Sequence, residues 1–347
     1  MTARDARFEE IRAWLTGTLH WPRDVRLEPA SADASFRRYF RAWRADGSTR
    51  IVMDAPPAHE DTAPYLKVTR LLAACGVHVP TVEAADAARG YLLLEDLGTT
   101  PLLGPLQAGA DADALYGDAL AALARIQLRG GEGARDLAPY DAAVLEREMR
   151  LLPEWYLARH LGLEPRAEDR DVFASAEAFL VREALAQPVV LVHRDYHSRN
   201  LMVTSQRSPG IIDFQDALAG PVGYDLASLL EDCYIAWPRE RVVGWLAAYR
   251  ARLLAEGGPA GSGNDEFLRW FDLIGLQRHI KVLGIFARLC HRDGKHGYLN
   301  DLPLTLRYVL DAAARFPELA HFHAWAVRRL APGLAAANAR ARAAVTA

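Results

Sequence analysis

Residues 188–215 set a polar loop between short apolar runs, and this constrains the chain more than any other stretch. Pro188-Val189-Val190-Leu191-Val192 reads as a buried strand. His193-Arg194-Asp195-Tyr196-His197-Ser198-Arg199-Asn200 follows at once, and Leu201-Met202-Val203 resumes the apolar pattern. A polar turn then leads to Gly210-Ile211-Ile212-Asp213, a third strand that ends on a carboxylate. Short strands need partners for their backbone groups, so this part of the chain must build small sheets. The order puts Asp195, Asn200 and Asp213 where strands meet loops. Capping of turns and helices would account for such residues one by one. Together they suit phosphoryl transfer, in which one carboxylate takes the acceptor proton while an amide oxygen and a second carboxylate hold magnesium. His193 and His197 stand four apart, but the segment is not helical and has no Glu at its second position, so zinc is not expected.

The chain has 347 residues, more than the roughly 250–300 at which a single core stops growing, so two lobes are expected. Phe8, Ile11, Trp14 and Leu15 mark an amphipathic helix over residues 4–19, ended by Trp21-Pro22. Strands are expected at 31–43, led into by Arg26-Leu27-Glu28, and at 50–53, joined by an Asp46-Gly47 hairpin turn, and at 77–83 and 90–96. A helix over 62–75 separates these pairs and stops at Gly76. Beyond Leu97-Gly98 the pattern turns helical, with helices expected at 111–128, 141–160 and 168–185 and again from 223 onward. Gly220-Pro221 reads as a turn, Asp225 as a helix cap that also braces the catalytic loop, and residues 334–347 as a fraying end. The expected organisation is an N-terminal lobe over 1–97 and a C-terminal lobe over 98–347, in an α+β fold with a small sheet-rich first lobe and a larger, mainly helical second one.

Composition excludes several classes. With 51% hydrophobic and 24% charged residues the chain is built to fold, and a net charge of −3 gives no basic field for nucleic acid. No apolar run reaches the roughly 18 residues of a membrane helix, and charged residues in the first 20 exclude a signal peptide. Cys75, Cys233 and Cys290 are widely spaced, which excludes a zinc site on paired cysteines. A monomeric cytoplasmic protein is expected. No P-loop, dinucleotide fingerprint or hydrolase elbow is present.

The spacing H-R-D-x-x-x-x-N with a later strand-ending Asp matches the protein-kinase catalytic loop. With Gly220-Pro221-Val222-Gly223-Tyr224-Asp225-Leu226-Ala227, the chain from about residue 30 to 290 resembles the aminoglycoside phosphotransferase family of small-molecule kinases. The resemblance implies a bilobal protein-kinase-like fold, ATP and Mg2+ as cofactors, Asp195 as the catalytic carboxylate and Asn200 and Asp213 as magnesium ligands. Tyr91–Gly98 resembles the family's hinge, which implies that backbone near Glu95 and Leu97 receives the adenine. Asp33–Arg41, Val52–Pro57, Asp232–Pro238 and Gln277–Phe286 resemble a branch acting on amino sugars, which implies transfer to an anomeric hydroxyl and a sugar 1-phosphate product.

One departure from the pattern matters. The strand that should carry a phosphate-binding Lys reads Arg50-Ile51-Val52-Met53-Asp54, and the whole chain has lysine only at Lys67, Lys281 and Lys295. Arg37 or Arg38, with the Ser35 hydroxyl, is expected to supply the missing charge, since a guanidinium can grip phosphate through two parallel bonds. The alternative is that both arginines are solvated.

The acceptor remains open on the residues alone. An amino sugar, an aminoglycoside, choline or another amino-alcohol would each fit, and the absent Lys also allows a nucleotide-binding pseudokinase that regulates a partner. Gln215, Asp216, Asp232, Tyr234, Arg278 and His279 are the expected substrate residues. The basic stretch 278–298 either suits an acceptor carrying a carboxylate or is a solvated helix face.

Overall fold

The computed structural model describes residues 3–32 and 36–346. The chain forms two compact units: one holds the chain through Leu102 and takes back Asn200–Asp216, and the other holds Leu103–Arg199 and the chain from Ala217.

The first unit begins with α1 (Ala3–Ala13), which widens into a π-turn at Trp14–Thr18. Next come β1 (Leu27–Ala32), β2 (Arg38–Trp43), β3 (Thr49–Asp54), α2 (Ala63–Ala74), β4 (Val82–Asp86) and β5 (Tyr91–Glu95). The strands form one antiparallel sheet in the order β1-β2-β3-β5-β4. The β2–β3 hairpin turns at Asp46-Gly47 as expected, and Gly47 has a φ of +83° that a Cβ would oppose. Alternation along β2 sends Phe40 and Ala42 into the core, where they meet Ile11, Trp14 and Leu15 of the N-terminal helix. Each such aliphatic or aromatic burial contributes about 1.5–3 kcal/mol.

Four later strands are β6 (Val189–Val192), β7 (Leu201–Met202), β8 (Gly210–Ile211) and β9 (Leu218–Pro221). The β7–β8 pair belongs to the first unit, where single bridges tie it to Pro101 and His78. The β6–β9 pair belongs to the second. β9 corrects the expected turn at Gly220-Pro221. Gly220 lies in the strand, where a Cβ would meet Tyr140 Cβ at 2.8 Å and its ring Cδ1 at 3.0 Å, and Pro221 sits at the strand's last position, where a missing donor is tolerated.

The second unit is helical: α3 (Leu103–Gln107), α4 (Ala112–Arg129), α5 (Gly131–Ala134), α6 (Ala142–Met149), α7 (Ala167–Leu185), α8 (Tyr224–Leu230), α9 (Arg239–Ala255), α10 (Asn264–His291), α11 (Leu302–Ala314), α12 (Ala320–Arg329) and α13 (Leu334–Thr346). The single helix expected over 141–160 is two pieces, because after α6 the chain continues as a wide π-turn segment, Leu152–His160. The strand expected at 77–83 contributes a lone bridge at His78, and pairing proper starts at Val82. Residues 334–346 form a helix rather than a frayed end, tied down by Asn338, which bonds His160 Nε2 at 2.8 Å and the Leu299 carbonyl at 3.1 Å.

α10 lies at the centre of this unit, buried from Phe271 to Gly284. A helix buried on every face ordinarily carries apolar residues all round. Here the exceptions face internal partners: Asp272 takes Arg239 at 2.6 Å, Lys281 takes Glu148 at 3.1 Å, and His279 bonds the Glu231 carbonyl at 2.9 Å. The basic stretch is therefore not a solvated face at these positions.

Candidate active site

In the first unit, Asn200 and Asp213 come together across the β7–β8 pair. The backbone holds them in register through the Ile212 N–H, which donates to the Asn200 carbonyl at 3.0 Å. The Asn200 Nδ2 then reaches Asp213 Oδ2 at 3.4 Å. Asp213 has a φ of +64°, a left-handed conformation that Asp tolerates better than most residues and that turns its carboxylate off the strand axis. One carboxylate beside one amide is the sparse oxygen set that magnesium accepts while keeping water and phosphate as its other ligands. Gln215, a candidate substrate residue, donates to Asp213 Oδ1 at 3.1 Å and to Asp216 Oδ2 at 3.2 Å and so steadies both carboxylates. Asp216 itself is exposed.

The two arginines diverge. Arg37 is largely buried, and its Nη2 stands 4.0 Å from Asp213 Oδ1. Arg38 closes on Asp54, a fully buried carboxylate that also takes Arg7 Nε at 2.9 Å. A buried carboxylate without partners is costly, so Arg38 is tied to the sheet rather than offered to phosphate. Ser35 lies outside the described residues.

A cavity of about 490 Å³ is lined by His78, Glu95, Asp96, Leu97 and Gly98 on one side and residues 203–207 on the other. Glu95 and Leu97 thus share one cleft. The Glu95 carboxylate is held by His78 Nε2 at 3.1 Å and by Thr81 through its amide at 3.2 Å and hydroxyl at 3.0 Å. Partial burial works against its ionisation, but these bonds prevail and keep its pKa below the usual glutamate range. Asp96 is gripped by Arg41 at 2.6 and 3.0 Å, which pins the turn that Gly98 follows.

In the second unit, Asp195 lies on the loop leaving β6. The loop is braced from below: the carboxylate of Asp225 accepts the His193 amide at 2.7 Å and the Arg194 amide at 3.0 Å. These bonds hold Arg194 at a φ of +77°, a strained position for a non-glycine residue. Burial pushes the Asp225 pKa up to about 7 in spite of them. Farther along, Asp232 takes the Ser198 amide at 2.9 Å and hydroxyl at 2.5 Å, which braces the loop. His193 Nδ1 accepts the Asp195 amide at 3.3 Å, which helps to fix the loop. Among the described residues no cluster of His, Cys, Asp or Glu could hold a metal as a group of three or more.

Sequence reading missed Glu148, and it saw Lys281 only as one cation in a basic stretch. The Glu148 carboxylate, nearly buried, receives Arg194 at 2.5 Å, Lys281 at 3.1 Å and the Tyr140 hydroxyl. Lys281 also reaches the Tyr224 hydroxyl at 3.0 Å. Two cations against one carboxylate leave positive charge beside Asp195. Burial favours the neutral acid there, but Lys281, His197, Arg278 and Arg194 outweigh it and hold the Asp195 pKa below the usual aspartate range. No local pattern could have announced Glu148, because its partners lie far along the chain.

Tyr234 is half-buried and packs edge-on against His197 at 5.4 Å. Arg278 and His279, both expected at the substrate, are buried in this structure. Arg278 is buried with its Nη1 at 3.7 Å from Cys233 Sγ. His279 is fully buried, stacked on Tyr308 at 4.7 Å, and burial drives its pKa down to about 3. Consecutive residues on a helix with no solvent face must both turn inward.

The chain is similar over most of its length to known proteins. The chain is 49% identical over 325 residues to the N-acetylmuramate/N-acetylglucosamine kinase of Pseudomonas aeruginosa, with 91% of this chain and 95% of that one covered. It is 44% identical over 329 residues to the protein of the same name from Pseudomonas putida, with 92% and 96% covered. Among solved structures, the ADP-bound aminoglycoside phosphotransferase APH(2'')-Ib superposes with a TM-score of 0.56 at 15% identity, covering 86% of this chain and 97% of that one. The α+β, protein-kinase-like fold that the family resemblance implied is the fold the chain adopts. Residues 26–263 match APH, the phosphotransferase enzyme family, and the chain belongs to that family.

Proposed function

We propose that this protein is an ATP-dependent kinase that phosphorylates the anomeric hydroxyl of N-acetylmuramate and N-acetylglucosamine. The observation that carries the acceptor is the 49% identity, over nine-tenths of the chain, to a relative named for those two sugars. The chemistry rests on this chain's own residues. Asp195, kept ionised by the charges around it, orients the anomeric hydroxyl and takes its proton. The hydroxyl oxygen forms a bond to the γ-phosphorus of ATP, the bond to the β–γ bridging oxygen breaks, and ADP leaves. An anomeric hydroxyl is more acidic than an ordinary alcohol, so a carboxylate of low pKa suffices, and in a loose transition state positioning outweighs strong proton abstraction.

Asn200 and Asp213 would hold magnesium, which when bound would draw off negative charge from the phosphates. Arg37 adds a cation beside Asp213, in place of the lysine missing from β3. The cavity lined by Glu95 and Leu97 suits the adenine. The solved APH(2'')-Ib structure is ADP-bound, which supports nucleotide use by this fold. The product is a sugar 1-phosphate, which suits recycling of peptidoglycan sugars in the cytoplasm, where ATP is available. The protein is read as a monomer with a small-molecule acceptor. Coupled ATP turnover on a panel of N-acetylmuramate, N-acetylglucosamine, choline and aminoglycosides tests the reading: turnover on the first two supports it. Turnover confined to the others, or none at all with tight ATP binding, sinks it.

A further inference from the structure

Arg199 occupies a singular place on the catalytic loop of the second unit. Its neighbour Ser198 is anchored to Asp232, so the loop backbone beneath it is fixed. Its guanidinium carbon lies 3.5 Å from the centroid of the Tyr234 ring and 6.0 Å from that of Tyr298. Tyr234 also meets His197, two residues from Asp195, edge-on at 5.4 Å. Phe286 backs both tyrosines, at 6.1 Å from Tyr234 and 5.1 Å from Tyr298. The guanidinium is thus clamped as a plane. Its one carboxylate neighbour among the described residues, Asp301, stands at 4.0 Å, beyond hydrogen-bond reach, and 43% of the Arg199 side chain is exposed. Other site arginines differ: Arg41 and Arg239 each close tightly on carboxylates.

A rigid cation with free donor edges is organised to receive a carboxylate from outside the chain, because little rotamer freedom remains to be lost on binding. N-acetylmuramate differs from N-acetylglucosamine by a lactyl ether at C3, two ring carbons from the anomeric centre, and that ether ends in a carboxylate. We infer that Arg199, held flat on Tyr234, binds the lactyl carboxylate of the acceptor and sets the preference between the two sugars. The inference rests on the functional reading above and deepens it.

The test is the ratio of kcat/KM for N-acetylmuramate to kcat/KM for N-acetylglucosamine, measured in single preparations of wild type, Arg199→Met and Arg199→Lys. A ratio cancels the amount of folded enzyme, so partial loss of stability does not blur it. Met keeps an unbranched stem on Tyr234 but removes the charge, and the ratio should fall by between about tenfold and about a hundredfold. Lys keeps the charge without the planar fork and should fall between. An Arg199→Met ratio within about twofold of wild type overturns the inference while leaving the functional reading intact. Wild-type enzyme inactive on both sugars overturns the functional reading and the inference with it.

Discussion

The Nη2 of Arg37 stands 4.0 Å from Oδ1 of Asp213, while the very next residue, Arg38, closes on the buried Asp54 instead. Adjacent residues entering a strand point to opposite faces, so a pair of arginines that reads as one feature divides into two roles. One cation stands beside Asp213 and the other is tied to the sheet.

This division predicts opposite phenotypes. Arg37→Met should raise KM for ATP by about tenfold, the worth of one charge-assisted contact. Arg38→Met should instead lower stability by about 3 kcal/mol, because Asp54 stays buried with Arg7 as its remaining guanidinium partner among the described residues. Steady-state kinetics and urea unfolding on both variants check this. A KM effect at Arg38 without a stability loss would reverse the assignment.

Replacing the proposed proton acceptor separates chemistry from binding. Asp195→Asn should reduce kcat by about 10²–10⁴-fold. Asp213→Asn should act through the metal, so that its activity needs far more magnesium than wild type to reach half-maximum. Titrating magnesium against initial rate on both variants gives the answer, and equal magnesium curves would count against Asp213 as a ligand.

Lys281 reports on the charge around Asp195. Burial disfavours its ammonium, but Glu148 and Tyr224 outweigh that and keep its pKa above the usual lysine range, so it is charged at neutral pH. Removing it in Lys281→Met takes positive charge from beside Asp195, which raises the aspartate pKa. The acid limb of kcat/KM should therefore move to higher pH, and Lys281→Arg should move it back. A limb that stays in place in Lys281→Met would show that the lysine only fills space.

Asp169, at the start of α7, receives Arg329 at 2.8 Å, the Trp325 indole at 2.7 Å and the Arg166 amide at 2.8 Å. Burial opposes its ionisation, yet these bonds pull its pKa down to about 2. A depressed pKa stabilises the fold above the ordinary aspartate value near 3.8, and that gain is lost as pH falls through about 2. Asp169→Asn should thus cost about 2 kcal/mol near neutral pH, with the gap to wild type closing in acid. Urea unfolding at both pH extremes decides it, and a gap independent of pH would point to packing alone.

Much of this was legible along the chain because it depends on neighbours in sequence. Strand alternation marked β2 and β3, Asp46-Gly47 marked their turn, and the apolar runs placed Asp195, Asn200 and Asp213 at strand ends. Other features depend on residues that only folding brings together. Glu148 acquires Arg194 and Lys281, and Asp54 acquires Arg7 and Arg38, through contacts that no local period encodes. Arg278 and His279 looked available because they are polar, yet α10 runs through the middle of its unit and has no solvent face there. Periodicity tells which residues of an element are alike. Which neighbours enclose that element, and so whether a charge meets water or another charge, is settled by packing.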